Sequence, residues 1–296
     1  MSTYLLKNDS LTIQMDELGA ELTSILDHQT NTQYLWNADP TYWKRHSPIL
    51  FPIVGSLRNN SFSYEGQTYS LPQHGFARDM NFTLINQTET ETWFSLDATV
   101  ETKKVYPFDF RLEVGYRLEG RTITALWKVI NKAQSKMYFS IGGHPAFHFP
   151  LKHEEGLGDS FVNFHTDKPL HYLHVDDISF VKRKPLKQLN VLPTDRGILP
   201  IDPHIFDYDA LIIEEHQCHQ ISLLDTAKKP YLSVSFDTPL FGLWSPPGKN
   251  APFICIEPWY GRCDANDFEG TLEEREWGNL LEAEGTFEAS YRIEIL

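Results

Sequence analysis

Cysteine is scarce in this chain of 296 residues, with only Cys218, Cys255 and Cys263 present. Three cysteines make no paired disulfide framework, and so low a number fits a reducing compartment. Positive charge is also in short supply, 26 basic residues against 40 acidic ones, for a formal charge of -14. That balance argues against nucleic acid, whose phosphates need a basic stripe, and against anionic membrane surfaces. An anionic small molecule stays open, because a few arginines in a cleft reverse the field locally. No apolar run reaches the roughly 18 residues of a membrane span. The opening stretch, MSTYLLKNDSLTIQMDELG, lacks a basic region followed by an apolar one, so no secretion signal is expected. The chain reads as a soluble cytoplasmic protein, monomer or homodimer.

Helical periodicity is missing as well. PTYWKRHSPIL and GTLEEREWGNLL are each expected to hold at most a short helix. There is no internal repeat, no heptad and no long linker, and the 18 prolines and 17 glycines are scattered as turn residues. A glycine-rich phosphate loop, a dinucleotide fingerprint and a nucleophile elbow are all absent.

What fills the chain is alternation with a period of two, broken by turns, the pattern of strands. Phe62 and Tyr64, then Tyr69 and Leu71, flank a turn at Glu65-Gly66. Leu112, Val114, Tyr116 and Leu118 share one face. After Glu119-Gly120 the pattern resumes at Ile123, Ala125, Trp127 and Val129, predicting a hairpin. Leu232, Val234 and Phe236 alternate again, as do Phe287, Ala289, Tyr291, Ile293 and Ile295. The expectation is one all-β domain over 1–296, a sandwich of extended antiparallel sheets with one face on the core. An open sheet face rich in aromatics suits a sugar, although large β cores use aromatics too. Aromatics make up 13% of this chain.

Several polar residues stand out by their settings. His144 lies in SIGGHPAFHFP, where two glycines end a strand pattern and allow close approach of another group. It reads as a core residue, a metal ligand or a proton donor held near neutral pKa by apolar neighbours. His74 lies in LPQHGFARD before Gly75, where the backbone can turn sharply. PFICIEPWYG reads as a buried strand over residues 253 to 256 that ends on Glu257. That carboxyl must pair with a cation, for example Arg262, or hold a shifted pKa. Arg45, Arg58 and Arg78 sit near these segments, and an arginine can fork onto two oxygens. His144-x-x-x-His148 and His216-x-Cys218-His219 have superficially ligand-like spacing. The first is not helical and the second has no matching pair, so no metal and no cofactor are expected.

Taken in order, FPIVGSLRNNSFSYEGQTYSLPQHGFARDMNF, SIGGHPAFHFP, FDYDALI and ICIEPWYGRCDA resemble the aldose 1-epimerase (galactose mutarotase-like) family. The likeness is nearest to the divergent branch of LacX-type proteins and hexose-6-phosphate mutarotases. It implies a galactose mutarotase-like antiparallel β supersandwich and interconversion of α and β anomers of a hexose or hexose 6-phosphate, without a cofactor. It implies Glu257 as the general base at the anomeric hydroxyl and His144 as the general acid at the ring oxygen, their pKa values drawn toward each other. Arg58 would correspond to the sugar-binding arginine, His74 to the first active-site histidine, and Asp209 to the aspartate that holds sugar hydroxyls. The chain departs from the typical galactose enzymes in having GFARD after His74 and Gly142-Gly143 before His144. Those departures bear on sugar specificity, and Arg78 with Arg58 would suit a 6-phosphate. The rival readings are a sugar-binding or sensing protein without turnover and a metal-dependent carbohydrate enzyme.

Overall fold

The computed structural model describes residues 2–151, 157, 160–175, 180–181 and 190–296. Strands dominate, and every pairing between named strands is antiparallel. A nine-stranded sheet runs in the order Ile198–Pro200, Phe161–Asn163, Gln220–Leu224, Pro230–Phe236, Thr286–Ile295, Thr122–Asn131, Phe110–Glu119, Glu91–Asp97, Thr83–Gln87. An eight-stranded sheet holds Asn190–Val191, His171–His174, Leu211–Ile213, Leu240–Trp244, Phe253–Tyr260, Ile141–Gly143 and Ile49–Leu50, with Ala146–His148 added alongside Phe253–Tyr260. A three-stranded sheet, Thr3–Lys7, Leu11–Asp16 and Leu22–Asp27, opens the chain.

The predicted hairpin forms as read, with Glu119 opposite Thr122 and all eight alternating apolar residues from Leu112 to Val129 buried. Glu65 and Gly66 both have positive φ and join Ser61–Tyr64 to Gln67–Ser70, the geometry of a tight two-residue hairpin turn. The two expected helices fare differently. PTYWKRHSPIL forms turns and then the strand Ile49–Leu50, whereas GTLEEREWGNLL holds one 3-10 turn at Leu272–Glu274. The α-helix Val100–Val105 was not foreseen; it is short and stands on a capping box between Thr99 and Thr102.

The two large sheets meet across an apolar core. Phe51, beside Ile49–Leu50, packs its ring 5.1 Å from that of Phe110. The strand Phe253–Tyr260 is buried on both faces. Ile254 and Ile256 join the main core, while Phe253, Cys255, Glu257 and Trp259 alternate onto the opposite face, outside it. The strand therefore runs on past Glu257, three residues beyond the predicted end. Pro258 is tolerated inside it because the ladder on one side is interrupted there. Ile141 and Gly142 pair with Tyr260 and Trp259, Ala146–His148 pair with Cys255–Phe253, and the residues between leave the ladder.

The predicted close approach at the glycines is made by Trp259 at Gly142 and by Tyr291 and Trp127 at Gly143. A Cβ on Gly142 would lie 2.5 Å from the Trp259 ring, and one on Gly242 would lie 2.4 Å from it. Both sides of the indole are thus bounded by glycine. Gly142→Ala is expected to destabilise the fold by about 1–3 kcal/mol through overpacking, read as a lower urea midpoint at unchanged m. An unchanged midpoint would mean that the indole moves aside without loss.

Candidate active site

The interrupted ladder delivers His144 opposite Glu257. Its imidazole Nε2 lies 3.2 Å from the Glu257 Oε2. The histidine is 6% exposed and the glutamate 1%. Glu257 Oε2 and His144 Nδ1 have no hydrogen-bond partner among the described residues. Buried polar atoms of this kind are uncommon and point to a ligand that satisfies them. Arg262 is not the partner of Glu257; its guanidinium is taken by Glu214 and Glu276.

Aromatic rings form the wall around the histidine. Trp43 stacks on it with centroids 4.7 Å apart, and Trp244 meets it edge-on at 5.4 Å. Burial, reinforced by the positive Arg78, pushes the His144 pKa down to about 3. This corrects the expectation of an imidazole near neutrality: desolvation penalises its charged form, and the positive Arg78 adds to that penalty. Burial and then the charge of Asp209 push Glu257 well above the usual carboxylate range, partly offset by the Trp259 indole. The two pKa values move past each other, so the pair favours uncharged imidazole beside protonated carboxyl.

His74 comes to the same cavity on consecutive left-handed residues, φ 65° at His74 and 70° at Gly75. The backbone N–H of Gly55 donates to its Nδ1 at 3.1 Å. The proton of the neutral ring is therefore on Nε2, and burial, then Arg78, holds the pKa well below the ordinary value. Arg78 donates from Nη2 to the Gln73 carbonyl, while its buried Nε has no hydrogen-bond partner among the described residues. Burial and then Arg45 lower the Arg78 pKa to about 10. Arg45 itself pairs with Asp79 at 2.8 Å.

His144, Glu257, His74 and Arg78 line a cavity of about 230 Å³, together with Asp209, Gln73, Trp43, Trp244 and Trp259, while Arg45 stands outside the lining. Of the residues singled out in the sequence, the fold thus brings together His144, Glu257, His74, Arg78 and Asp209. Arg58 is the exception. It is absent from the cavity lining, and its guanidinium donates to the Phe268 carbonyl and Glu269 while its backbone N–H donates to Asp264. His148 stands outside the lining too, its ring edge-on to Trp36. His216 and His219 meet the exposed Asp237 at the surface, and Cys218 is buried. The aromatic wall was the part missed: Trp43 lies in the segment read as a helix, and no local pattern singles it out.

The chain matches the family model for aldose 1-epimerase over residues 2–268. It is 34% identical to "Protein LacX, plasmid" of Lactococcus lactis subsp. lactis, covering 99% of each chain. It is 27% identical to the "Putative glucose-6-phosphate 1-epimerase" of Escherichia coli K12, over 72% of this chain and 66% of that one. A solved galactose mutarotase related enzyme from Lactobacillus acidophilus superposes with a TM-score of 0.93 at 33% identity, covering 100% of this chain and 97% of the other.

Linkage gives the raised Glu257 a definite sign. Below the unfolded carboxyl pKa both states are protonated and burial is uncharged. As pH rises above it, the unfolded state loses a proton that the folded state keeps, and stability falls by about 1.4 kcal/mol per pH unit up to the folded pKa. Glu257→Gln is expected to remove that slope, so its advantage in urea unfolding should grow from about pH 4.5 toward neutrality. A pH-independent difference between the two proteins would contradict the raised pKa. With the family model matched over residues 2–268 and a relative 34% identical along 99% of each chain, the chain belongs to the aldose 1-epimerase family.

Proposed function

We propose that the protein is a mutarotase that interconverts the α and β anomers of a hexose or hexose 6-phosphate at this cavity. The observation that carries the reading is the His144–Glu257 contact, two buried titratable groups 3.2 Å apart. At the start of the cycle the pair's proton rests on Glu257. Sugar hydroxyls that hydrogen-bond to the carboxylate favour its ionised form, and the proton passes to His144. Glu257 then takes the proton of the anomeric hydroxyl while His144 gives its own to the ring oxygen. The ring bond breaks, the C1–C2 bond rotates, and closure on the other face returns both protons. The Nε2–H of His74 donates to a sugar oxygen as charge develops, and Asp209 accepts from hydroxyls. The cavity is smaller than the roughly 300–1,000 Å³ of drug-sized pockets, in keeping with a monosaccharide.

A sugar-binding protein without turnover is the rival. Binding alone needs no buried carboxyl beside an imidazole, and that arrangement lowers stability at neutral pH, so it favours chemistry. Polarimetry or NMR of anomeric exchange decides between them. Glu257→Gln and His144→Asn are each expected to lose about 10²–10⁴-fold in kcat, the usual worth of a general acid or base. In the active protein kcat/KM should stay level through mildly acidic pH, because His144 adds a proton to the already protonated pair only near about 3. It should fall on the alkaline side as the pair loses its last proton. An acid limb near the ordinary histidine pKa, or full activity in both variants, would reject the mechanism.

Arg78 favours a phosphorylated substrate: its Nε lies 3.8 Å from Asp79 Oδ2 but makes no hydrogen bond among the described residues, and guanidinium forks onto phosphate oxygens. In a panel of glucose, galactose and their 6-phosphates, the wild type should prefer the phosphates. Arg78→Ala should lose about 1.5–3 kcal/mol of that preference, the worth of a charged hydrogen bond. An undiminished preference in the variant would place the phosphate elsewhere.

A further inference from the structure

Cys255 has no part in the proposed proton transfers, yet it sits against the residues that carry them. It precedes Glu257 by two on the strand Phe253–Tyr260, so the pleat puts both side chains on one face. The interrupted ladder places His144 against that face. One ligand atom from each of His144, Cys255 and Glu257 falls within 4.8 Å of the others, and all three residues are buried. Two polar atoms in the group, His144 Nδ1 and Glu257 Oε2, have no hydrogen-bond partner among the described residues.

We propose that His144, Cys255 and Glu257 form a binding site for Zn²⁺ and like thiophilic divalent ions, and that an ion bound there blocks the sugar. The blocking half rests on the mutarotase reading above; the binding half does not. Imidazole, thiolate and carboxylate are the donors zinc takes, with bonds of about 2.0–2.3 Å. Tetrahedral bonds of that length set donors about 3.4–3.7 Å apart, so small side-chain rotations close the set. His144 and Glu257 both line the cavity, which leaves the remaining vertex for water or a sugar oxygen. On binding, the Cys255 thiol proton and the Glu257 carboxyl proton both pass to solvent, and the ion takes the lone pairs that the acid–base pair uses. Mg²⁺ and Ca²⁺, which seek six or more oxygens, do not suit three mixed donors.

The test uses the full chain, stripped with a chelator and titrated with Cd²⁺, while the thiolate-to-metal charge-transfer absorbance is recorded in the ultraviolet. One Cd²⁺ per chain should develop the band. The exposed trio of His216, His219 and Asp237 contains no sulfur and cannot produce it. In the mutarotation assay Zn²⁺ should inhibit competitively with sugar, and Mg²⁺ at the same concentration should not. Cys255→Ala is expected to keep basal mutarotation, lose the band, and weaken Zn²⁺ inhibition by at least about tenfold, the least that disturbing a metal's surroundings costs. Cys255→Ser serves if the alanine variant folds poorly. Cys263 lines the same cavity, so Cys263→Ala is the decisive control. A band that survives Cys255→Ala and vanishes in Cys263→Ala would overturn the assignment, as would no band at all. If no sugar is turned over but the band appears and depends on Cys255, the metal site stands and the mutarotase reading falls.

Discussion

Glu257 sits in the middle of a strand that is buried on both faces, and burying a carboxylate costs several kcal/mol unless it is paired or neutral. Among the described residues no lysine or arginine pairs with Glu257. Arg262, five residues on, is committed to Glu214 and Glu276, and Arg275 to Asp264. The group left against Glu257 is an imidazole that burial also keeps neutral. Two groups that each resist charge, in contact, can exchange a proton without creating a lasting ion pair. The interrupted ladder, the glycines beside Trp259 and the tryptophan wall each serve to hold that contact in place.

Strand pairing sets the position of the pair more than side-chain choice does. Ile141–Gly143 and Ala146–His148 are both hydrogen-bonded to the strand that carries Glu257, on either side of it. His144 therefore has its backbone fixed at both ends within a few residues. Trp43 then limits the ring to one plane by stacking on it. Preorganisation of this kind is what proton transfer between fixed donors and acceptors requires.

The strands were legible because half-buried antiparallel sheets write a period of two into the chain, as between Leu112 and Val129. His144 and Glu257 were legible because a titratable group inside an apolar run has few uses. Trp43 was not, since its role depends on a loop folding back on a strand about a hundred residues away. Arg58 shows the opposite failure. Its neighbours read like a binding segment, but Phe268 and Glu269, far along the chain, hold its guanidinium away from the cavity lining. The direction of the His144 shift was also beyond reach, because it depends on how completely Trp43 and Trp244 enclose the ring.

The hydrogen bond from the Gly55 N–H to His74 fixes the polarity of that ring. With Nδ1 occupied as an acceptor, His74 can offer the cavity only a donor and cannot remove a proton from a ligand. Two histidines 5.6 Å apart are thereby made chemically unlike by a single backbone amide. In the proposed reaction this leaves one relay, between His144 and Glu257, with no second histidine base to divert it. Each turnover then ends with the site holding the same number of protons as it began with, so successive cycles need no exchange with the bulk solvent.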